Sequence, residues 1–252
     1  YLSGFIGSES LDMLAFTPPV VGTGGFLISP DDRGLHSTRR LLMLIYPAAD
    51  LRLQGRRAQP WDKTTTHKYR PGQYYDFRKH PELIETHLED FVEYSDRQAI
   101  QTFFSFVKWI NSNSSAFEST DCMFSGTPKV DEYAPVFGCT HASSGRFEFL
   151  FRDTKINQNE RAVGWVLNKL SLYLQKERPD FCKGTFGIVP LMTEYTDSGS
   201  NEFTGYRICV YFDAYGNGTE DTWTSLNIMF DGLMKATKRM SNETITGEMR
   251  PL

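Results

Sequence analysis

Cys139 and His141 lie two residues apart in the run DEYAPVFGCTHASSGRFEFLFR, a thiol and an imidazole that could pair as nucleophile and base. Catalytic pairs of this kind are normally distant in sequence, so the proximity is weak support for an enzyme. His36, His67, His80, His87 and His141 show no metal-ligand spacing such as HExxH, and neither GxSxG nor a phosphate-binding glycine loop occurs. Cys122, Cys139, Cys182 and Cys209 form no CxxC pair, which argues against a zinc knuckle or a disulfide scaffold. No metal, cofactor or catalytic residue is therefore expected. A second chemistry is stacking and charge. Residues 51–80 carry eight Lys or Arg against two Asp, with five aromatics among them, and an acidic segment follows.

These residues have to be positioned by a fold. A chain of 252 residues with 40% hydrophobic and 23% charged content can bury one substantial core. The net charge of -4 favours no class of partner by itself. No segment is long and apolar enough to span a bilayer, and the first residues lack the basic front and apolar run of a signal peptide. Sequons at Asn113, Asn217 and Asn242 are of a kind that arises often by chance, so a reducing compartment is expected, cytoplasmic or also nuclear.

Residues 1–35, rich in Gly, Ser and Pro, read as an N-terminal tail. The apolar run Leu41–Tyr46 suits a buried strand stopped by Pro47, and 51–80 reads as a long loop. A second strand is predicted over His87–Tyr94. Ser95 and Gln98 then have the spacing of a capping box before a helix with Ile100, Phe103, Phe104, Val107 and Ile110 on its apolar stripe. Short strands are predicted at Cys122–Phe124 and Arg146–Arg152, the latter with Arg and Glu outward and aromatics inward. A helix over Asn159–Lys176 ends before Pro179, with Trp165 (and Trp109 on the preceding helix) read as core. Phe186–Tyr195 and Tyr206–Tyr215 form a strand pair, and a third helix covers Asp221–Met240 before a C-terminal tail, 241–252. Three helices among such strands predict an α+β fold, with the helices on one sheet face.

Pro135 and Phe137 in a turn, then Gly145-Arg146-Phe147 opening a strand, then a helix with Trp165 near its front, resemble the core of the eukaryotic translation initiation factor 4E family. That family binds the 7-methylguanosine cap of mRNA. The resemblance covers about residues 36–240. It implies a single domain built as a curved antiparallel sheet with three helices on its convex face and the cap on the concave side. A methylated guanine is a cationic ring, held by two aromatic faces through stacking and cation–π attraction, by a carboxylate at its N–H edge, and by basic side chains on its phosphates.

Carried onto this chain, the resemblance makes Phe137 one stacking aromatic, in place of the usual Trp. Trp61 from 51–80 is the candidate for the other, with Tyr69, Tyr74 and Tyr75 as alternatives. Gly138 stands where the guanine-reading Glu belongs, leaving Asp131 or Glu132 to substitute. Arg146 and Arg207 match phosphate-binding positions, with Arg56, Arg57, Lys63 and Lys68 as further basic candidates. The resemblance also implies a partner, a 4G-like scaffold or a 4E-binding repressor carrying Tyr-x4-Leu-apolar. Its peptide would dock on Ile100, Phe104, Val166 and Leu170, with His36 at the edge, while Leu167 replaces an expected acidic residue. An apolar helix stripe is more often core than docking surface. The alternative to cap binding is a 4E-like protein-interaction scaffold that has lost the ligand.

Overall fold

The computed structural model describes residues 44–47, 50–58, 66–67, 70–73, 75–177, 180–196 and 202–247, with the backbone alone described for 44–73, 194–196 and 202. The chain divides into two units, Tyr1–Arg39 and Arg40–Leu252, and every described residue belongs to the second. Its elements in chain order are β1 (Leu44–Pro47), β2 (Asp50–Ala58), β3 (Thr66–His67), β4 (Arg70–Gln73), α1 (Ile84–His87), α2 (Glu89–Val92) and α3 (Gln98–Ile110). There follow β5 (Phe117–Phe124), β6 (Lys129–Val130), β7 (His141–Phe151), α4 (Thr154–Asn157), α5 (Glu160–Glu177), β8 (Gly184–Thr196), β9 (Glu202–Gly216) and α6 (Thr219–Ile245). The class is α+β.

The main sheet runs β1-β8-β9-β7-β5, with β2 continuing along β8 beyond β1 and β6 along β7 beyond β5. Strands β5 to β9 pair antiparallel, whereas β1 and β2 join β8 in parallel. The expected antiparallel sheet thus holds for β5 to β9 and is corrected at β1 and β2. A parallel neighbour needs a long crossover, and more than a hundred residues separate β2 from β8.

Because side chains alternate across a strand, parity decides which face of the sheet meets the helices. Phe147, Phe149 and Phe151 of β7, Phe186 and Ile188 of β8, and Ile208, Val210 and Phe212 of β9 share one face. All are buried in a single core with Phe103, Phe106 and Val107 of α3, Trp165, Val166 and Leu170 of α5, and Leu226, Phe230 and Leu233 of α6. The three long helices therefore lie on one face. The opposite face, carrying Arg146, Glu148, Arg207, Cys209 and Tyr211, is free of them among the described residues. Each buried Phe contributes about 1.5–3 kcal/mol relative to exposure, so the aromatic core is the main source of cohesion. Gly145 is required where β5 pairs with β7, since a Cβ there would come within 2.4 Å of both the Met123 carbonyl oxygen and the Phe212 ring.

Several local expectations are overturned. His87–Tyr94 is not a strand but falls in the helical turns α1 and α2 and the turn after them. Ile84, Leu88 and Phe91 are buried at i, i+4 and i+7, a helical spacing that the loose alternation of the segment masked. The Ser95–Gln98 capping box does not form. Helix α3 begins at Gln98 with Arg97 as its N-cap and no side-chain cap bond, and the Gln101 side chain donates to the Ser95 carbonyl instead. The segment 51–80 is not one long loop, for it contains most of β2 and the small β3–β4 pair. The tail expected at 241–252 begins later, because α6 runs on to Ile245.

The first turn of α6 is held by Asp221. Its carboxylate accepts from the Asn217 backbone N–H (2.7 Å) and from Lys183 Nζ (2.8 Å). The Asn217 N–H first, then Lys183, hold its pKa below the usual carboxylate range. A depressed pKa contributes stability above the unfolded-state value, about 4, and loses it as pH falls through the folded-state value. Denaturant titrations of wild type and Asp221→Asn are therefore expected to differ at pH 7 and to draw together as pH falls below about 4. A gap that does not shrink as pH falls below about 4 would contradict this.

Candidate functional site

Phe137 ends the short turn Ala134–Phe137 between β6 and β7. Asp131 sets up that turn, its Oδ1 accepting from the N–H groups of Tyr133 (2.8 Å) and Ala134 (3.1 Å). The same carboxylate that could read a guanine edge is thus engaged by its own backbone, while Glu132 beside it is exposed. Gly138 closes the turn in the left-handed region, φ 66°, with its N–H donating to the Pro135 carbonyl (3.0 Å). This backbone state explains why glycine occupies the position where the resemblance called for Glu, since a Cβ at positive φ is strained. Gly138→Ala is expected to lower stability by about 1 kcal/mol in denaturant unfolding. An unchanged midpoint would show that the turn relaxes instead.

The Phe137 ring stacks on Tyr215, centroids 4.2 Å apart and planes within 11°. Tyr215 is 7% exposed and Phe137 half-buried, so one face of Phe137 is already covered. By strand parity, Tyr215 belongs to the helix-free face of β9, as do Asp213, Tyr211, Cys209 and Arg207. Tyr211 lies about 13 Å and Arg207 about 26 Å along the strand from Tyr215 at about 3.3 Å per residue.

Cross-strand register brings Arg146 opposite Tyr211, and Glu148 opposite Cys209. Arg146 Nη2 donates to Asp121 Oδ2 (3.2 Å), and its Nε lies 3.5 Å from Glu148 Oε1. Arg207 Nε lies 2.9 Å from Glu148 Oε2, off the hydrogen-bond axis, so the contact is a charge pairing. Burial acts against the charge on Arg146, but Glu148 and then Asp121 outweigh it and raise its pKa. Glu148 is 3% exposed, and Arg207 beside it on β9 5%, whereas Arg146 and Arg152 stay partly exposed, so the half-solvated strand expected here holds at its arginines and not at Glu148. The alternation was right.

Buried beneath this pairing, the Cys209 thiol is pushed well up, first by burial and then by Glu148. Tyr211, whose ring stays partly exposed, is also raised, by burial and then by Cys209. The Cys139 thiol donates to the Phe137 carbonyl (3.5 Å), and burial raises its pKa. His141 Nδ1 lies 2.8 Å from Thr140 Oγ1. An activated thiol needs the opposite shift. Among the described residues no group of three or more His, Cys, Asp or Glu is placed to hold a metal ion. No helix among them is long and apolar enough to cross a membrane.

The remaining candidates separate into those described and those not. Trp61, His36, Tyr69, Tyr74, Lys63 and Lys68 lie outside the described residues, and of Arg56 and Arg57 only the backbone, in β2, is described. Tyr75 packs locally, 4.8 Å edge-on to His87 and 6.2 Å from Phe77. The proposed peptide face is corrected. Ile100, Val166 and Leu170 are 0% exposed and Phe104 1%, all within the core, so none offers an open docking stripe. An apolar stripe facing a sheet is consumed by that sheet. Trp165, 2% exposed, is core as expected.

Asp121, Glu148, Tyr211 and Tyr215 were not singled out from sequence. The i, i+2 spacing of Arg146 and Glu148 was the available signal for a shared face. No family model, curated protein or solved structure matches the chain.

Proposed function

We propose that the protein is a 4E-like binder of the 7-methylguanosine cap of mRNA, acting in translation initiation or its regulation. The observation that carries this reading is the Phe137–Tyr215 stack, an aromatic plate at the end of a helix-free sheet face that also bears Tyr211 and Arg146. The order of the long elements supports it. A helix precedes β5, the aromatic turn lies between β5 and β7, and helices follow β7 and β9. A cationic ring gains stacking and cation–π attraction on such a plate, and exposed Glu132 is the nearby candidate for the N–H edge.

Calorimetric titration with 7-methyl-GTP and, as control, GTP tests the reading. Preference for the methylated ligand is expected, and Phe137→Ala should weaken it by about 1–3 kcal/mol. Equal affinities, or none, would remove cap recognition.

A second reading is a 4E-like scaffold working through protein contacts alone. Its specific support is that Arg146 and Arg207 are already paired with Asp121 and Glu148. The buried helix stripe does not serve it, so a partner such as a 4G-like protein would need a different surface. Capture of a Tyr-x4-Leu peptide, undiminished by 7-methyl-GTP and without any ligand binding, would favour it.

A further inference from the structure

The helix-free face is rich in charge, yet its charges close on one another. Arg146 meets Asp121 at 3.2 Å and Glu148 at 3.5 Å, and Arg207 meets Glu148 at 2.9 Å. Two arginines are thus matched by two carboxylates. The same face adds Glu118, 0% exposed and 2.5 Å from Arg78 Nη1, and Asp213, which accepts from the Thr185 hydroxyl at 2.7 Å. No positive excess stands among the described side chains of this face. A phosphate tail reaching Arg146 or Arg207 would have to displace Asp121 or Glu148 from them or carry its own charge next to theirs. Like charge at close range in a poorly hydrated site costs more than the exchange of one anion for another returns.

We propose that Glu148, assisted by Asp121, is a specificity-determining residue that makes the site read the methylated purine ring while gaining little from its phosphates. The inference rests on the cap-binding reading and sharpens its ligand class: a cationic purine nucleoside whose phosphate count hardly alters affinity. Phosphate-driven binding has the opposite signature, a strong dependence on charge and salt. Discrimination then comes from an unfavourable element built into the site, as specificity often does.

The test is calorimetric titration of the full chain with 7-methylguanosine, 7-methyl-GMP and 7-methyl-GTP at one salt concentration, for wild type, Glu148→Gln and Asp121→Asn. In wild type the triphosphate is expected to bind less than about tenfold more tightly than the nucleoside. Freeing an arginine restores a charge-assisted contact, so either variant should raise that ratio by about tenfold or more. Circular dichroism checks folding. If Glu148→Gln fails to fold, Asp121→Asn decides, because Asp121 is 19% exposed and its loss disturbs less. A wild-type ratio of tenfold or more, or a ratio that neither folded variant moves, overturns the inference while leaving cap binding standing. Absence of binding to all three methylated ligands removes the cap-binding reading itself, and this inference with it.

Discussion

Phe103→Ala is expected to destabilise the protein by about 3–5 kcal/mol, the range for deleting a fully buried Phe. Phe103 is 0% exposed and joins four elements. Its ring stacks on Phe91 of α2 at 4.3 Å and 10°, meets Phe147 of β7 edge-on at 5.8 Å, and lies 4.7 Å from Phe230 of α6 and 6.2 Å from Phe106 on its own helix. Truncation removes the ring's transfer energy and leaves a cavity that neighbours from two other helices and a strand cannot all collapse into. Phe103→Leu keeps most of the volume and should cost less than about 2 kcal/mol. Urea unfolding curves measure both, with a common slope as the check that the unfolded states are alike. A loss below about 1 kcal/mol for the alanine would mean that the ring does not hold the layers together.

Arg207→Ala is expected to cost a similar amount, about 3–5 kcal/mol, by a different route. The guanidinium is 6% exposed and lies against a carboxylate that is 4% exposed. Removing it leaves Glu148 with less compensating charge in a poorly hydrated site. Arg207→Lys retains the charge and should lose less. Combining Arg207→Ala with Glu148→Ala should cost less than the sum of the single changes, because the second removal relieves the first. Strict additivity in thermal or chemical unfolding would show that the two side chains do not interact. This prediction bears on function as well as stability, since the same pair sets the charge that any ligand of the face would meet.

The long elements were legible because their signals are local. The apolar stripe Ile100, Phe103, Phe104, Val107 and Ile110 marked α3, and all five are buried. The strands predicted at Phe186–Tyr195 and Tyr206–Tyr215 appear within longer β8 and β9, and that at Arg146–Arg152 within a β7 that starts earlier and stops at Phe151. Errors fell where the deciding partner is distant. Strand β2 pairs with β8 across the molecule, and nothing in residues 51–58 themselves announces a parallel edge strand. Ile84, Leu88 and Phe91 did carry a helical period, but it spans two short turns that a search for longer helices passes over.

The candidate site was legible in part. Phe137, Arg146 and Arg207 were named from their surroundings in the chain, and the last two do share one face of adjacent strands. Their chemistry was not legible. Whether an arginine faces phosphate, water or a carboxylate depends on what the neighbouring strands place across from it, and Asp121 lies 25 residues from its partner Arg146. The plate was half visible, for Phe137 stood out in its turn whereas Tyr215 looked like any strand residue.

Residue order alone determined the helical stripes, the strand alternation and hence the α+β class with helices on one side, because periods of 3.6 and 2 are written in adjacent residues. Only the assembled sheet decided that Arg146 and Arg207 are matched by Asp121 and Glu148, that Phe137 leans on Tyr215, and that the helix stripes are core. The physical reason is that cross-strand register and layer packing are set by burial summed over distant segments. A one-residue shift of β9 against β7 would put Arg207 in the core and Ile208 beside Glu148, yet leave every local pattern unchanged.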